Sequence, residues 1–152
     1  LVAGCRVVIP GVIDVHMHPL VVAGFDDIKS MDANYVMARA TASARATLLR
    51  GFTTVRDLGG PSFGLKQAID EGVIEGPRIF PSGAIVSQTA GHGDFRSRAA
   101  GAADGGRPDV LEQRGYTARV DGVDQVGLLR VVAGADNPMI QSAGNLLQVV
   151  EC

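Results

Sequence analysis

The first half of the chain alternates short apolar runs with longer segments of helical periodicity. The run GVIDVHMH, residues 11–18, is rich in β-branched side chains and predicts a strand buried on both faces, as in a parallel sheet. Residues 30–50 predict a helix, with Ser30 or Asp32 at its N-cap and Gly51 just beyond its end. The inner face predicted for this helix is a stripe of small and apolar side chains, Val36, Met37, Ala40, Ala44, Thr47 and Leu48.

The same alternation continues as far as residue 87. Residues 52–60 are rich in strand-forming side chains and end in two glycines, and residues 61–72 predict a short helix. Residues 76–87 predict a third strand, whose regular part Pro81 limits to a few residues. The order strand, helix, strand, helix, strand predicts βαβ units and a parallel sheet. The side chains predicted to face inward from the second helix are Phe63, Ala68 and Ile69.

The pattern of apolar positions changes after residue 87. Residues 88–122 hold many Gly, Arg, Asp and Ala residues without a sustained period, and a long irregular stretch in a domain is often functional. Helical character returns from residue 120, and the tail from Met139 predicts a fourth strand followed by a trailing helix.

The composition narrows the class of protein. The chain has 152 residues, 46% of them hydrophobic, which is enough for one ordinary domain with a buried core. A net charge of −2 predicts neither a nucleic-acid partner nor an anionic membrane surface, and no apolar stretch approaches the roughly 20 residues of a membrane span. No signal-peptide pattern is visible. The two cysteines, Cys5 and Cys152, form no disulfide framework or metal motif, which favours a reducing, cytoplasmic compartment.

The first predicted strand ends in two of the chain's three histidines, His16 and His18. Residues i and i+2 of a strand share a face, so the two imidazoles are expected side by side at the carboxyl end of the strand. Active sites of parallel α/β barrels lie at that end, and neutral imidazole is a common zinc ligand, although a site needs further ligands. The spacing by itself is more typical of two half-buried histidines that bond backbone carbonyls.

The residues around His16 and His18, and several later segments, resemble a known protein family. The segment PGVIDVHMH resembles the opening barrel strand of the amidohydrolase superfamily, whose members are metal-dependent hydrolases on a (β/α)8 barrel. The segments GFTTVRDLGG, EGPRIFPSG and SQTAGHGD resemble, in order, later blocks of its imidazolonepropionase-like and Xaa-Pro dipeptidase-like branch. This resemblance implies an α/β fold with parallel strands over residues 1–126, containing the first three to four βα units of the barrel. Residues 127–152 are expected to form a divergent tail, as truncation or a shifted reading frame would produce.

The resemblance also implies roles for particular residues. His16 and His18 match the first pair of metal ligands, and the expected cofactor is a divalent metal, with zinc the first choice. His92, in TAGHGD, matches a loop histidine near the substrate pocket, and Asp57 matches a position at the barrel mouth, so both are expected to contact the substrate. Alternatives stay open for both, because His92 can be a surface loop histidine and Asp57 can cap the following turn. Arg56 is expected to be solvated or ion-paired.

The implied activity is hydrolysis of a carbon–nitrogen bond in an amide, cyclic amide or dipeptide-like small molecule by metal-activated water. In the family a lysine and later histidines complete the metal site, and the position that aligns with the lysine is Met139. The alternative is therefore a catalytically inactive barrel remnant that acts as a binding or assembly module.

Two further expectations concern assembly and fold. A half-barrel would leave two strand edges exposed, so a homo-oligomer is expected. A flavodoxin-like protein would need a phosphate-binding glycine loop after the first strand, and HPLVVAGFDD is not such a loop.

Overall fold

A computed structural model describes residues 8–97, 107–123 and 125, and the fold is given for these residues. They belong to two compact units that divide between Pro81 and Ser82. No helix in this part of the chain is long and apolar enough to cross a membrane.

The first unit alternates strands and helices in the predicted order. Its sheet has the strand order β1-β2-β3, and both pairs of neighbouring strands are parallel, which confirms the predicted βαβ units. Helix α2 packs against β2, and α3 packs against β3. The elements of this unit are β1 (Val12–Met17), α1 (Phe25–Ser30), α2 (Ala33–Leu49), β2 (Phe52–Asp57), α3 (Phe63–Asp70) and β3 (Arg78–Phe80).

Helix α2 follows the sequence prediction closely. Asp32 is its N-cap and accepts a hydrogen bond from the backbone N–H of Asn34 at 2.8 Å. Ser30, the other candidate cap, instead ends the unpredicted helix α1. Gly51 follows α2 with a φ of 97°, a conformation that glycine adopts without strain. The buried side chains of α2 all belong to the predicted stripe and are Val36, Ala40, Ala44 and Thr47.

Helix α3 corrects one predicted core residue. Phe63 is 46% exposed, whereas Leu65 is 1% exposed and provides the buried contact of the helix. Two residues along a helix correspond to a rotation of about 200°, so Phe63 and Leu65 lie on opposite faces. Ala68 and Ile69, three and four residues after Leu65, share its face and are partly buried.

The apolar run of β1 predicted a strand buried on both faces, and this prediction is wrong. Val12, Ile13 and Val15 are 41%, 62% and 61% exposed. The reason is that, among the described residues, the extensive contacts of β1 are with its sheet neighbour β2 and no helix packs extensively against its faces. Its apolar composition therefore belongs to a strand whose faces are open within the described unit.

The predicted third strand is in fact two strands in two sheets. Strand β3 ends at Phe80, and β4 (Ile85–Ser87) begins after a break that contains Pro81 and Gly83, which has a φ of 80°. Strand β4 lies in the second unit and pairs in parallel with β5 (Thr117–Arg119). Proline cannot donate to a strand ladder, and the following bend changes the pairing partner.

Residues 88–122 contain regular structure that the apolar pattern did not predict. Helix α4 (Val110–Gln113) begins with a capping box between Asp109 and Glu112, and β5 follows it. Elements of four and three residues are too short to set a period of apolar positions, so periodicity did not detect them. The expectations for residues 126–152, including the one for Met139, lie outside the described residues.

Candidate active site

The carboxyl end of β1 contains a β-bulge. Asp14 pairs with Val55 and Met17 pairs with Asp57, so three steps along β1 match two steps along β2. The extra residue lies at Val15 or His16, which is where a bulge redirects side chains next to many active sites.

Two side chains satisfy backbone groups at this bulge. Asp14 accepts a hydrogen bond from the backbone N–H of His16, with an N···O distance of 2.9 Å. Arg56 donates from Nε to the carbonyl oxygen of Val15, also at 2.9 Å. Arg56 is exposed, as expected for a solvated side chain, and it also binds the backbone beside His16. The sequence signal for this role was the position of Arg56, one residue before the end of β2.

The structure brings the two predicted metal ligands together. The ring centroids of His16 and His18 are 5.4 Å apart, and the ring planes make an angle of 80°. His16 is exposed, and the side chain of His18 is 30% exposed. His18 Nδ1 lies 3.2 Å from the carbonyl oxygen of Gly59. Because a carbonyl oxygen only accepts, Nδ1 carries the proton of the neutral ring and Nε2 keeps the lone pair.

The spacing of the two rings fits a shared metal ion. In a zinc site the zinc–nitrogen bond is about 2.0–2.1 Å long, and the centre of the imidazole ring lies roughly 1.1 Å beyond the nitrogen. Each ring centre is therefore about 3.2 Å from the ion. Two such rings at a tetrahedral angle have centres about 5.2 Å apart. The observed distance of 5.4 Å agrees with this value. The pair therefore has the donor chemistry of zinc ligands and a ring separation compatible with one shared ion.

Asp57 lies at the end of β2, behind His18. Its side chain is fully buried, and its Oδ1 accepts a hydrogen bond from the backbone N–H of Gly59 at 2.9 Å. Its Oδ2 accepts a hydrogen bond from the hydroxyl of Ser62. These bonds are the turn-capping alternative left open for Asp57, and they also place its Oδ1 3.9 Å from His18 Nδ1.

The environment of Asp57 changes its proton affinity. Burial raises the pKa of Asp57 above its usual value. The hydrogen bonds from Ser62 and Gly59 and the nearby His18 act in the opposite direction and lower the pKa. Burial has the larger effect, so this carboxyl holds its proton more strongly than an exposed aspartate does.

The remaining predicted site residue, His92, belongs to the second unit. It is exposed and lies in the turn that follows β4. In this turn the backbone N–H of Gly93 donates to Ser87 Oγ at 3.1 Å. A Cβ atom at Gly93 would lie 2.9 Å from side-chain atoms of Ile85 and Ser87, so the turn requires a glycine. The substrate-side role of His92 stays a prediction.

An ion pair in the same turn was not predicted from the sequence. Arg96 donates from Nε to Asp94 Oδ1 at 2.8 Å and from its second terminal nitrogen to Asp94 Oδ2 at 2.7 Å. Both side chains are only 7% exposed. The bidentate pair holds the pKa of Asp94 well below its usual range. The spacing Asp-x-Arg directly after the TAGHG segment was the signal that could have revealed it.

Within the described ranges, no group of three or more His, Cys, Asp or Glu side chains is close enough to hold a metal ion. A zinc site takes three or four protein ligands, so His16 and His18 could provide only part of one.

Comparisons with known proteins agree with the geometry. The profile of the amidohydrolase family matches residues 7–147. Ochratoxinase from Aspergillus niger is 34% identical over 157 aligned positions, which cover 93% of this chain and 32% of that protein. This chain therefore spans about a third of the length of its curated relatives.

Several solved structures are also similar to this chain. A prolidase complexed with N-methylphosphonate-L-proline shares 41% identity at a TM-score of 0.69, over 79% of this chain and 29% of the prolidase. The A. niger ochratoxinase structure shares 32% identity at a TM-score of 0.62, over 77% of this chain and 29% of that chain. A Xaa-Pro dipeptidase with bound methionine shares 30% identity at a TM-score of 0.57, with the same coverage of 77% and 29%. These similarities confirm the predicted α/β class, with parallel strands from the first βα units of the barrel.

Proposed function

This chain belongs to the amidohydrolase family, and on that basis we propose that it contributes a metal-ligand pair to a hydrolase of carbon–nitrogen bonds. The observation that carries the proposal is the pair His16 and His18, with ring centroids 5.4 Å apart at the carboxyl end of β1. When bound, a divalent metal, with zinc the expected ion, supplies Lewis-acid polarisation of an amide carbonyl and a lowered pKa for water.

The chain's own residues prepare this pair for binding. His18 would use Nε2, because Gly59 holds its Nδ1–H. His16 is carried on the bulge whose backbone groups Asp14 and Arg56 satisfy. His92 is proposed to contact the substrate. For Asp57 the geometry favours the turn-capping role, since its carboxylate is fully buried and both oxygens accept hydrogen bonds.

The proposed substrates are small amides, cyclic amides or dipeptide-like molecules. Support comes from the similarity to a prolidase complexed with N-methylphosphonate-L-proline and to a Xaa-Pro dipeptidase. The similarity to ochratoxinase supports the same class of carbon–nitrogen bond. Because this chain spans only about a third of these relatives, the activity is proposed for a completed site to which these residues contribute one part.

The proposal includes the setting of the protein. Self-association is supported by the exposed apolar side chains of Val12, Ile13 and Val15 on β1. A net charge of −2 supports a small-molecule partner over nucleic acid or a membrane surface. The proposed cytoplasmic location is supported by two cysteines that form no disulfide framework. Sedimentation velocity over a range of protein concentrations tests the self-association.

A second candidate function is a binding or assembly module without turnover. The observation that favours it is that, among the described residues, no third His, Cys, Asp or Glu side chain joins His16 and His18 in a group that could hold a metal ion. Two imidazoles with other positions filled by solvent can hold a metal ion weakly without providing the positioned base that hydrolysis requires.

Metal content and hydrolysis, measured on the same gel-filtered fraction, test both candidates. The fraction is equilibrated with zinc, analysed for bound metal and assayed for amine release from Xaa-Pro dipeptides and N-acyl amino acids. Bound zinc with turnover supports the hydrolase, and bound zinc without turnover supports the binding module. The double variant His16→Ala, His18→Ala is expected to lose the metal in either case. Retention of zinc by that variant at the parent's affinity would show that other residues bind it.

A further inference from the structure

A chain of hydrogen bonds runs through the turn behind His18. Ser62 donates its hydroxyl proton to Asp57 Oδ2. Asp57 Oδ1 accepts from the backbone N–H of Gly59 at 2.9 Å, and the carbonyl oxygen of Gly59 lies 3.2 Å from His18 Nδ1. Ser62 and Asp57 are fully buried, and Gly59 is buried between them and His18. Gly59 therefore receives support at its N–H and supports His18 with its carbonyl.

The hydroxyl of Ser62 is used in an unusual way. Ser62 occupies the N-cap of α3, where a serine side chain ordinarily accepts a hydrogen bond from the first turn of its own helix. Here it makes no such bond and donates to Asp57 instead. The helix start thus loses a cap, and the carboxylate behind the Gly59 turn gains a buried partner.

The turn also depends on Gly60. Its φ of 129° is a backbone conformation that residues with a side chain rarely adopt. The segment Asp57–Ser62 therefore has a glycine where the backbone needs it, a carboxylate that accepts from the Gly59 N–H, and a hydroxyl that fixes the carboxylate.

We infer that Asp57 and Ser62 are positioning residues for His18 and act on it through the Gly59 carbonyl. The carboxylate does not bind the imidazole itself, because its Oδ1 lies 3.9 Å from Nδ1, too far for a hydrogen bond. The carbonyl at 3.2 Å is the partner that keeps the proton on Nδ1 and leaves Nε2 as the ligating nitrogen. The effect of Asp57 and Ser62 on the His18 tautomer is a property of the metal-free chain. Their effect on metal affinity rests on the proposed function.

The test is the tautomer of His18 in the metal-free 152-residue chain, labelled with ¹⁵N at histidine. Long-range ¹H–¹⁵N correlation spectra at about pH 8.5, well above the ordinary histidine pKa of about 6.5, report which ring nitrogen carries the proton. We expect His18 of the parent to be in the Nδ1–H form, with the exposed His92 as internal reference. A parent His18 in the Nε2–H form would overturn the inference.

Variants separate positioning from simple structural support. Asp57→Ala and Ser62→Ala are expected to move His18 toward the tautomer mixture of a free imidazole. Asp57→Asn is expected to retain the Nδ1–H form, because an amide oxygen still accepts from the Gly59 N–H. The controls are two exposed residues: Ser30→Ala, which removes a hydroxyl that donates to a backbone carbonyl at the end of α1, and Asp32→Asn at the N-cap of α2. Both controls are expected to keep the parent tautomer.

The outcomes distinguish this inference from the proposed function. If Asp57→Ala does not fold, the comparison of Ser62→Ala with Asp57→Asn decides, and an unchanged tautomer in Ser62→Ala overturns the inference. Zinc titration of the same variants is expected to show about 10- to 100-fold weaker binding in Ser62→Ala than in its control. Tautomer changes in a chain that binds no zinc would support the positioning role and contradict the metal proposal. Zinc binding by a chain whose His18 tautomer no variant alters would support the metal proposal and contradict the positioning role.

Discussion

The imidazole Nδ1 of His18 lies 3.2 Å from the carbonyl oxygen of Gly59, a residue 41 positions further along the chain. This contact joins the end of β1 to the turn after β2, so the orientation of one candidate metal ligand depends on the correct pairing of two strands. Stability of that turn and metal affinity are therefore expected to be linked.

Removal of the Arg56 guanidinium is expected to weaken zinc binding at His16. In Arg56→Met the apolar stem remains, but the donor to the Val15 carbonyl is lost, and the bulge beside His16 loosens. We expect a loss of about 0.5–1.5 kcal/mol in the free energy of unfolding, with zinc affinity reduced by roughly 10-fold. Urea unfolding and zinc titration measure the two effects.

The matched control for Arg56→Met is Arg45→Met. Arg45 is exposed in the same unit and donates from Nε to Glu75 at 2.8 Å, in a surface ion pair. Such pairs contribute little, so Arg45→Met is expected to leave zinc affinity unchanged. Equal zinc affinities for the two variants would contradict the proposed role of Arg56.

Two glycine substitutions are expected to have opposite effects on stability. A Cβ atom at Gly76 would lie 2.6 Å from the side chain of Ile69 and 3.3 Å from that of Ala44, so Gly76→Ala overpacks the contact between α2 and α3. We expect a destabilisation of about 1–3 kcal/mol. At Gly64, in α3, nothing lies within 4 Å of the added methyl group, and Gly64→Ala is expected to stabilise by about 0.5–1 kcal/mol. Thermal and urea unfolding measure both, and a stabilised Gly76→Ala would contradict this packing of Gly76 against Ile69.

The Asp94–Arg96 pair is expected to make stability depend on pH in the acid range. The pKa of Asp94 is lowered in the folded chain, so between the folded value and the ordinary value of 3.8 the unfolded state binds more protons. The stabilisation from the pair is therefore complete above the ordinary pKa and is lost as pH falls toward the folded one. Asp94→Asn should be less stable than the parent at neutral pH, and the difference should shrink below about pH 4.

Urea unfolding at a series of pH values measures this dependence. The control is Asp26→Asn, because the Asp26 side chain is 98% exposed in a surface ion pair with Lys29. It is expected to follow the parent at every pH. A constant difference between Asp94→Asn and the parent down to the lowest pH would show that the ionised pair is not the cause.

Substitution of His92 is expected to affect the substrate and leave the metal in place. His92 is exposed in the turn after β4, in a unit separate from the His16 and His18 pair. His92→Ala should bind zinc like the parent, and any amide hydrolysis should show a raised KM with a smaller change in kcat. Zinc content and steady-state kinetics test this, and loss of zinc in His92→Ala would make it a ligand instead.

Local sequence determined much of the fold. Helix α2, its Asp32 cap and its buried stripe follow from the spacing of small and apolar side chains within one segment. The parallel order of β1, β2 and β3 follows from alternating strands and helices. Phe63 was predicted to share the inner face of α3 with Ala68 and Ile69, but it precedes them by five and six residues and so lies on the other side of the helix. The prediction joined β3 and β4 because a bend after Pro81 changes the pairing partner without ending the apolar run.

For the candidate site, the sequence by itself determined which side chains could act as ligands and their approximate place. The spacing of His16 and His18 and the strand that carries them are local, so the pair could be predicted from eight residues. Only the tertiary structure decided how the pair is held. The bulge arises from the register between β1 and β2, and the Gly59 carbonyl reaches His18 across 41 positions of sequence. Such contacts form between segments distant in the chain, and no local pattern of residues encodes them.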